Sequence, residues 1–210
     1  MIVHQIFGLL GDTEMNDLFK KNSLKYQEFC KKNNYEYHLW NKQECEELLK
    51  DYEDYRDFYY SVKYDIMKVD IIRFLILHKY GGLYADLDTE PLINTLKSST
   101  LIFAFKKGLK RKHYELEIIQ SIKGHPYLLQ YLDHVKKQIE EKNKIKIYDS
   151  WKCRYVYQTS GPHSLNRFLK NIDDVDNYII NEPLTKNNSL NLTGEEDFIS
   201  FPSCSYKNKM

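Results

Sequence analysis

Two aspartates one residue apart, Asp86 and Asp88, are the side chains whose type and spacing point most directly to chemistry. Carboxylates are hard oxygen ligands, and two on one turn can converge on a divalent cation such as Mn2+ or Mg2+. A cation held in that way neutralises a diphosphate and polarises it as a leaving group. The bare pattern is weak, because 15 aspartates in 210 residues make roughly one Asp-x-Asp by chance. A second copy, Asp174-Val175-Asp176, lies among polar residues and reads as a solvated turn. Asp86 and Asp88 differ in context: a long apolar segment, then Gly81-Gly82, then a short apolar run lead into them. On spacing alone the alternative is a polar strand end that caps the next segment. Asp70 and Arg73 lie three apart inside the apolar segment and share one helix face. They read either as an internal ion pair or as two groups aimed into a cleft to hold ligand hydroxyls. Buried pairs contribute little net stability and need some other reason to persist.

Periodicity gives the elements that must position these residues. Residues 62–79 form the strongest helical pattern, with Ile66, Val69, Phe74 and Leu77 at helical spacing and Gly81-Gly82 as the stop. Residues 83–86 then read as a strand that carries Asp86-Leu87-Asp88 at its C-terminal end. Upstream, 2–7 is a short buried strand and 15–32 an amphipathic helix with Met15, Leu18, Phe19 and Phe29 facing inward. A strand at 35–40 and a helix at 42–51 follow, and the aromatic, acidic stretch 52–60 has no clear period. Downstream, strands are expected at 101–105, 114–121, 178–180 and 198–201, and helices at 126–142 and 164–170. Strands alternating with helices predict an α/β domain with a mixed, mainly parallel sheet flanked by helices. In such sheets ligands bind at the carboxyl ends of the strands, where Asp86 and Asp88 fall.

Composition narrows the classes. Lys and Arg number 31 against 30 Asp and Glu, so no global field selects nucleic acid or an anionic membrane. Hydrophobic residues at 42% exclude wholesale disorder, and eight Gly with five Pro leave little room for flexible linkers. One domain over 1–210 is expected, either whole or the N-terminal part of a longer protein, and acting as a monomer. The 18 tyrosines suit a wet cleft for polar ligands or reflect codon bias. Cys30, Cys45, Cys153 and Cys204 form no CxxC pair and read as reduced, mostly buried thiols. There is no basic, apolar leader, and the most apolar run, 71–77, is short and broken by Arg73. A soluble, cytoplasmic protein with no membrane span is therefore expected, and the glycosylation-like triplets at Asn187 and Asn191 carry no weight.

The block from Asp70 to Asp88 reads Asp-Ile-Ile-Arg-Phe-Leu-Ile-Leu-His-Lys-Tyr-Gly-Gly-Leu-Tyr-Ala-Asp-Leu-Asp. It closely resembles the central block of DXD-motif glycosyltransferases, above all glycosyltransferase family 32, with its mannosyltransferases and capsular-polysaccharide sugar transferases. The large clostridial glucosylating toxins carry a similar block on the same fold. Ile2-Val3-His4-Gln5-Ile6-Phe7-Gly8 is similar to the family's first strand, usually Ile-His-Gln-Ile-Trp-Gly. Thr159-Ser160-Gly161-Pro162 resembles its Thr-Gly-Pro turn with one residue inserted. The resemblance runs from residue 2 to about 170.

What the resemblance implies is a GT-A fold and a retaining, metal-dependent transfer from a nucleotide diphosphate sugar, UDP-linked, to a glycan or other hydroxyl acceptor. Asp88 would ligate Mn2+ or Mg2+ directly. Asp86 would contact ribose and donor sugar, or the metal through water. Asp70 and Arg73 would hold donor-sugar hydroxyls, and Tyr84 would line the donor pocket. Gln5 and Phe7 would belong to the nucleotide site, Phe7 stacking on the base where the family has Trp. The family also draws metal or diphosphate contacts from a C-terminal His- or Trp-containing segment, whereas 203–210 holds neither. His163, opening a helix, reads as a diphosphate contact or a surface residue. Trp151, Tyr155 and Tyr157 read as an aromatic loop that stacks on an acceptor sugar or packs on the sheet. Lys106, Lys107, Lys110, Arg111 and Lys112 read as a solvated loop or a contact to a phosphate-bearing acceptor. Two other functions stay open: a catalytically inactive nucleotide-sugar or glycan-binding module, and a metal-dependent nucleotidyl or phosphoryl transferase, against which the lack of a Gly-rich phosphate loop counts.

Overall fold

The computed structural model describes residues 1–106, 113–143, 152–170, 172, 175–181 and 196–201. Its elements run β1 (Ile2–Ile6), α1 (Asp17–Asn33), β2 (Glu36–Trp40), α2 (Lys42–Leu48), α3 (Glu53–Ser61), α4 (Asp65–Tyr80), β3 (Gly82–Ala85) and β4 (Thr89–Pro91). Then come β5 (Leu101–Lys106), β6 (Tyr114–Ser121), α5 (Pro126–Asn143), α6 (Lys152–Thr159), α7 (Pro162–Leu169), β7 (Asp176–Asn181) and β8 (Phe198–Ser200).

Every residue from Val69 to Leu77 of α4 is buried. A helix apolar nearly all round must be covered on all sides, and α4 lies between the sheet and other helices for that reason. It stops where Gly81 adopts φ 68° and its N–H bonds to the Leu77 carbonyl at 2.8 Å. Gly82 follows at φ 99°, and a Cβ there would lie 2.2 Å from the Ile2 carbonyl oxygen. Only glycine lets the chain turn this tightly and bring β3 against β1.

The sheet has eight strands in the order β2-β1-β3-β6-β5-β7-β8-β4. β1 pairs parallel with β2 and β3, and β7 pairs parallel with β5 and β8. β6 runs antiparallel between β3 and β5, and β4 antiparallel to β8. The expected mixed, mainly parallel sheet is present. One face packs Ile6, Tyr84, Phe103 and Ile119 against α4 and its neighbours, and the other packs Val3, Leu83, Ile102 and Ile118 against Tyr26 and Phe29 of α1.

Several expectations need correction. α1 begins at Asp17, because the Asn16 side chain accepts the Phe19 N–H at 2.8 Å and caps it. Met15 thus lies outside the helix, Leu18 and Phe19 are half-buried, and Tyr26 and Cys30 join Phe29 in the core. The unassigned stretch forms α3, burying Tyr55, Phe58 and Tyr59. The aromatic loop at 151–157 is instead α6 from Lys152: Tyr155 and Val156 pack on Met67, and Tyr157 is exposed. Trp151 lies outside the described residues. β4 had no signal, since its pairing with β8 spans more than a hundred residues. Cys30 and Cys45 are buried, which pushes their thiols up to about 11 and about 12, whereas Cys153 is exposed. Cys204, Asn187 and Asn191 lie outside the described residues.

His4 is fully buried on β1, between β2 and β3. The Trp40 indole N–H, a donor only, bonds to His4 Nδ1 at 3.1 Å, so the imidazole proton sits on Nε2 and is donated to the Gly81 carbonyl at 2.9 Å. Burial pushes this histidine down to about 4. Between about pH 6.5 and 4 the unfolded chain therefore binds a proton that the folded chain refuses, and stability falls as pH falls, by at most about 1.4 kcal/mol per pH unit. Urea unfolding at pH 7 and pH 4.5 should show wild type losing more stability than His4→Gln, whose amide does not titrate; parallel losses would contradict a neutral His4.

Candidate active site

Arg73 is 3% exposed and Asp70 6%, on the face of α4 that meets the ends of β3 and β6. The guanidinium Nη2 pairs with Asp70 Oδ1 at 3.1 Å, and Nη1 lies 3.5 Å from Asp86 Oδ1. Nη1 also donates to the Leu116 carbonyl at 2.6 Å, and Nε to the Val69 carbonyl at 3.3 Å. The guanidinium carbon sits 4.8 Å from the centre of the Tyr84 ring, a cation–π contact. Tyr84 in turn donates its hydroxyl to Asp86 Oδ1 at 2.5 Å, and Ser160 donates to Asp70 Oδ2 at 2.7 Å. The helix pair is thus an ion pair and also part of a network that ends at the aspartate turn. Burial pushes Asp70 up to about 6 against the pull of Arg73. Burial also opposes the Arg73 charge, but the Asp86, Tyr84 and Asp70 groups outweigh it and hold the guanidinium above its ordinary value.

The turn itself is held by its backbone. Asp86 N–H bonds to the Glu117 carbonyl at 2.8 Å. The Asp86 carbonyl accepts from Thr89 N–H at 3.1 Å, from the Thr89 hydroxyl at 2.6 Å and from Gln5 Nε2 at 3.4 Å. The Leu87 carbonyl accepts from Asn22 Nδ2 at 3.1 Å, and the Asp88 carbonyl from Phe201 N–H at 2.7 Å. With all three carbonyls occupied, the two carboxylates are what the turn offers to a ligand.

A cavity of about 590 Å³ opens at this point, within the range of small-molecule sites. Phe7, Asp70, Arg73, Tyr84, Asp86 and Asp88 all line it. Gln5 does not: fully buried, it accepts the Tyr37 hydroxyl at 2.8 Å and steadies the Asp86 carbonyl from beneath. His163 is half-buried against the Tyr157 ring, centroids 5.6 Å apart, outside the cavity wall. Lys106 lines the wall and pairs with Glu115 at 3.4 Å; Lys107, Lys110, Arg111 and Lys112 lie outside the described residues. Asp176 is exposed on β7, and Asp174 and the tail 203–210 lie outside the described residues.

Sequence reasoning missed Ser160, Glu115 and Glu117. Ser160 sits in the Thr-Ser-Gly-Pro turn as its inserted residue, so the motif held a signal. Gly161 beside it leaves no room for a Cβ, which would lie 2.8 Å from the Tyr157 Cα. Glu115 and Glu117 had no signal, because they come from one strand of ordinary alternation. Burial pushes Glu117 up to about 7 against the pull of Lys106.

Asp86 and Asp88 fit a divalent cation as two hard oxygen donors. The contacts to Tyr84 and Arg73 both fall on Asp86 Oδ1, leaving Oδ2 for a ligand. Among the described residues no group of three or more His, Cys, Asp or Glu side chains could hold a metal. The site suits an ion bound by two carboxylates with substrate phosphates completing its shell, not a cage of protein ligands.

Residues 20–104 match the family described as the glycosyltransferase sugar-binding region containing the DXD motif. Inositol phosphoceramide mannosyltransferase 3 of Schizosaccharomyces pombe is 35% identical over 97 residues, covering 46% of this chain and 27% of that protein. A mannosyl phosphorylinositol ceramide synthase of Saccharomyces cerevisiae is 31% identical over 103 residues, covering 49% of this chain and 27% of that one. The match thus spans about a quarter of these relatives. Among solved structures, PaToxG glycosyltransferase aligns with TM-score 0.57 at 17% identity, covering 81% of this chain and 69% of that one. The chain has the GT-A glycosyltransferase fold. The expected cytoplasmic location is overturned by these relatives, which are named for a ceramide, a membrane lipid. No described helix is long and apolar enough to cross a membrane.

The Ser160 hydroxyl is the hydrogen bond that holds the outer oxygen of Asp70. Ser160→Ala should cost about 1–3 kcal/mol of unfolding free energy by denaturant titration, the range for a lost bond to a charged buried group; a change below about 0.5 kcal/mol would show that Asp70 does not depend on it.

Proposed function

We propose that this chain, with a DXD-motif sugar-binding region on a GT-A fold, transfers a sugar from a nucleotide diphosphate sugar to a hydroxyl of a glycan or other acceptor, in a metal-dependent reaction that retains anomeric configuration. The observation that carries this reading is Arg73, which joins the Asp70 pair on α4 to the Asp86-Leu87-Asp88 turn in the wall of one cavity. A purely structural pair would have no reason to be wired to the aspartate turn and open on a ligand-sized space. The same wiring speaks against an inactive binding module, because Asp70, Arg73, Asp86 and Asp88 are all intact and joined in one wall. The names of the relatives add support for sugar transfer to a hydroxyl and make mannosyl donors part of the test.

In this reading Phe7 stacks on the base, UDP being the nucleotide expected from the resemblance. Asp70 and Arg73 hold hydroxyls of the donor sugar, and their network fixes the rotamers that do so. Asp88, with Asp86 beside it, would hold Mn2+ or Mg2+, and the bound ion would stabilise negative charge on the departing diphosphate. The Arg73 guanidinium adds fixed positive charge near the same turn, aimed where charge develops in the transition state. Gln5, Asn22, Thr89 and the Phe201 amide keep the turn rigid, so little reorganisation is needed as the bond breaks.

A panel of UDP- and GDP-linked sugars, scored for Mn2+-dependent release of the nucleoside diphosphate, tests the reading; no release from any donor would sink it. Asp88→Asn removes a direct anionic ligand, and turnover should drop by orders of magnitude while Asp176→Asn stays near wild type. Phe7→Ala should weaken UDP binding by roughly 1–3 kcal/mol in calorimetry. Unchanged UDP affinity together with a lowered melting temperature would make Phe7 a core residue only.

A further inference from the structure

One chain of hydrogen bonds in the cavity wall has no part in the donor contacts above. It runs from Glu115 through His113 to Tyr157, and all three side chains line the cavity. Glu115 is 6% exposed, and its Oε1 lies 3.4 Å from Lys106 Nζ and 3.2 Å from His113 Nδ1. His113 Nε2 lies 3.0 Å from the Tyr157 hydroxyl. The direction of each bond follows from what the groups can do. The carboxylate that pairs with Lys106 only accepts, so the imidazole proton sits on Nδ1. Nε2 of the neutral ring then only accepts, and Tyr157 donates to it. That hydroxyl has spent its one proton, and its remaining lone pair can only accept from a ligand. A ligand hydroxyl is the group that suits it.

The surroundings keep His113 neutral and Tyr157 in place. Burial and Lys106 on β5 push the histidine below its ordinary value. Glu115 and Glu117 on β6, Tyr157 on α6 and His163 on α7 are the other titratable groups at this end of the wall. Tyr157 is 41% exposed, yet its ring is parallel within 4° to that of His113 and fixed at its tip. An exposed side chain held in one rotamer gives up entropy, which a purely solvent-facing tyrosine would keep. Its place relative to the aspartate turn follows from the sheet. Asp86 N–H bonds to the Glu117 carbonyl, and β6 runs antiparallel to β3. His113, four residues before Glu117, therefore lies beyond the end of β3, at most about 14 Å further out along β6. A donor held by its diphosphate at the turn would lie between the turn and this chain of bonds.

We propose that Tyr157, His113 and Glu115 form a relay that takes the proton of the attacking acceptor hydroxyl; this rests on the transferase reading above. The acceptor O–H bond breaks, its proton passes to the Tyr157 oxygen, and Tyr157 passes its own proton to His113 Nε2. The acceptor oxygen bonds to the anomeric carbon. The bond from that carbon to the diphosphate oxygen breaks, and its electron pair leaves with the diphosphate. The proton rests on His113 as an imidazolium facing Glu115 and returns to water through Tyr157 once the products have gone. Tyr157 is the catalytic residue, because it touches the acceptor. Glu115 is a positioning residue that fixes the tautomer of His113.

The test is the pH dependence of nucleoside diphosphate release from UDP- and GDP-linked sugars, with water, methyl mannoside or myo-inositol as acceptor. Below its pKa His113 carries a proton on Nε2 and cannot accept from Tyr157, so kcat should fall towards acid with a midpoint below 6.5. Tyr157→Phe and His113→Gln should each lower kcat by roughly a hundredfold and abolish that acid limb. UDP affinity with Mn2+, read by calorimetry, should stay at the wild-type value in both. His113→Gln keeps an oxygen that accepts from Tyr157 but takes up no proton, so its loss of turnover reports the proton transfer. Both variants turning over like wild type, with the acid limb unchanged, would send the proton elsewhere and overturn the relay. Turnover lost in proportion to UDP affinity would make the three residues structural and overturn it as well. No release from any donor by the wild-type protein would remove the transferase reading and the relay with it. Normal release that ignores Tyr157 would remove the relay alone.

Discussion

A single buried cation organises this molecule. Arg73 sits almost wholly out of water, and a charge in that position must be neutralised and hydrogen-bonded or the fold loses several kcal/mol. The structure meets that demand from four places: Asp70 and the Val69 carbonyl on its own helix, Asp86 beyond β3, the Leu116 carbonyl on β6 and the ring of Tyr84. Each of these partners is then located by Arg73, and α4, β3 and β6 cannot shift independently. The cavity lies where those three elements meet.

The same constraint explains why the aspartate turn can be both acidic and rigid. Asp86 would otherwise face Asp70, Asp88 and Glu117 with nothing to screen it. Arg73 supplies the opposing charge, and Tyr84 fixes the rotamer by donating to the same oxygen. The backbone of the turn is tied separately to β1, α1, β6 and the residue after β8 through Gln5, Asn22, Glu117 and Phe201. Polar atoms that in most turns would face water are used here as internal fasteners, which leaves the two carboxylates as the exposed chemistry. Gln5 illustrates the division of labour: part of a first-strand pattern associated with nucleotide binding, it serves here beneath the turn, between Tyr37 and the Asp86 carbonyl.

Outside the cavity the core is built on two faces of one sheet, with α4 covered on all sides and His4 held neutral between Trp40 and Gly81. That buried imidazole ties β1, β2 and the start of β3 through side-chain bonds in addition to the ladder. Gly82 does the complementary work by omission, since any Cβ would meet the Ile2 carbonyl and push β3 away from β1.

Local pattern alone determined α4, the Gly81-Gly82 stop, the strand that carries Asp86 and Asp88, and the pairing of Asp70 with Arg73 on one face. Those features depend on periodicity and on backbone freedom, which a sequence states directly. Residue types marked Asp70, Arg73, Asp86 and Asp88, and the family resemblance added Phe7 and Tyr84, all of which line the cavity. Only the tertiary structure decided that Ser160 holds Asp70 across 90 residues, that 152–159 is a helix and that β4 closes the sheet on β8. The physical reason is the same in each case. These contacts join segments far apart in the chain, and their energy comes from burial and hydrogen bonds that exist only once the other partner has arrived. A strand's alternation gives no hint of a register shift, and the Thr-Ser-Gly-Pro turn marks Ser160 as worth inspecting without saying that its partner is a carboxylate on a distant helix.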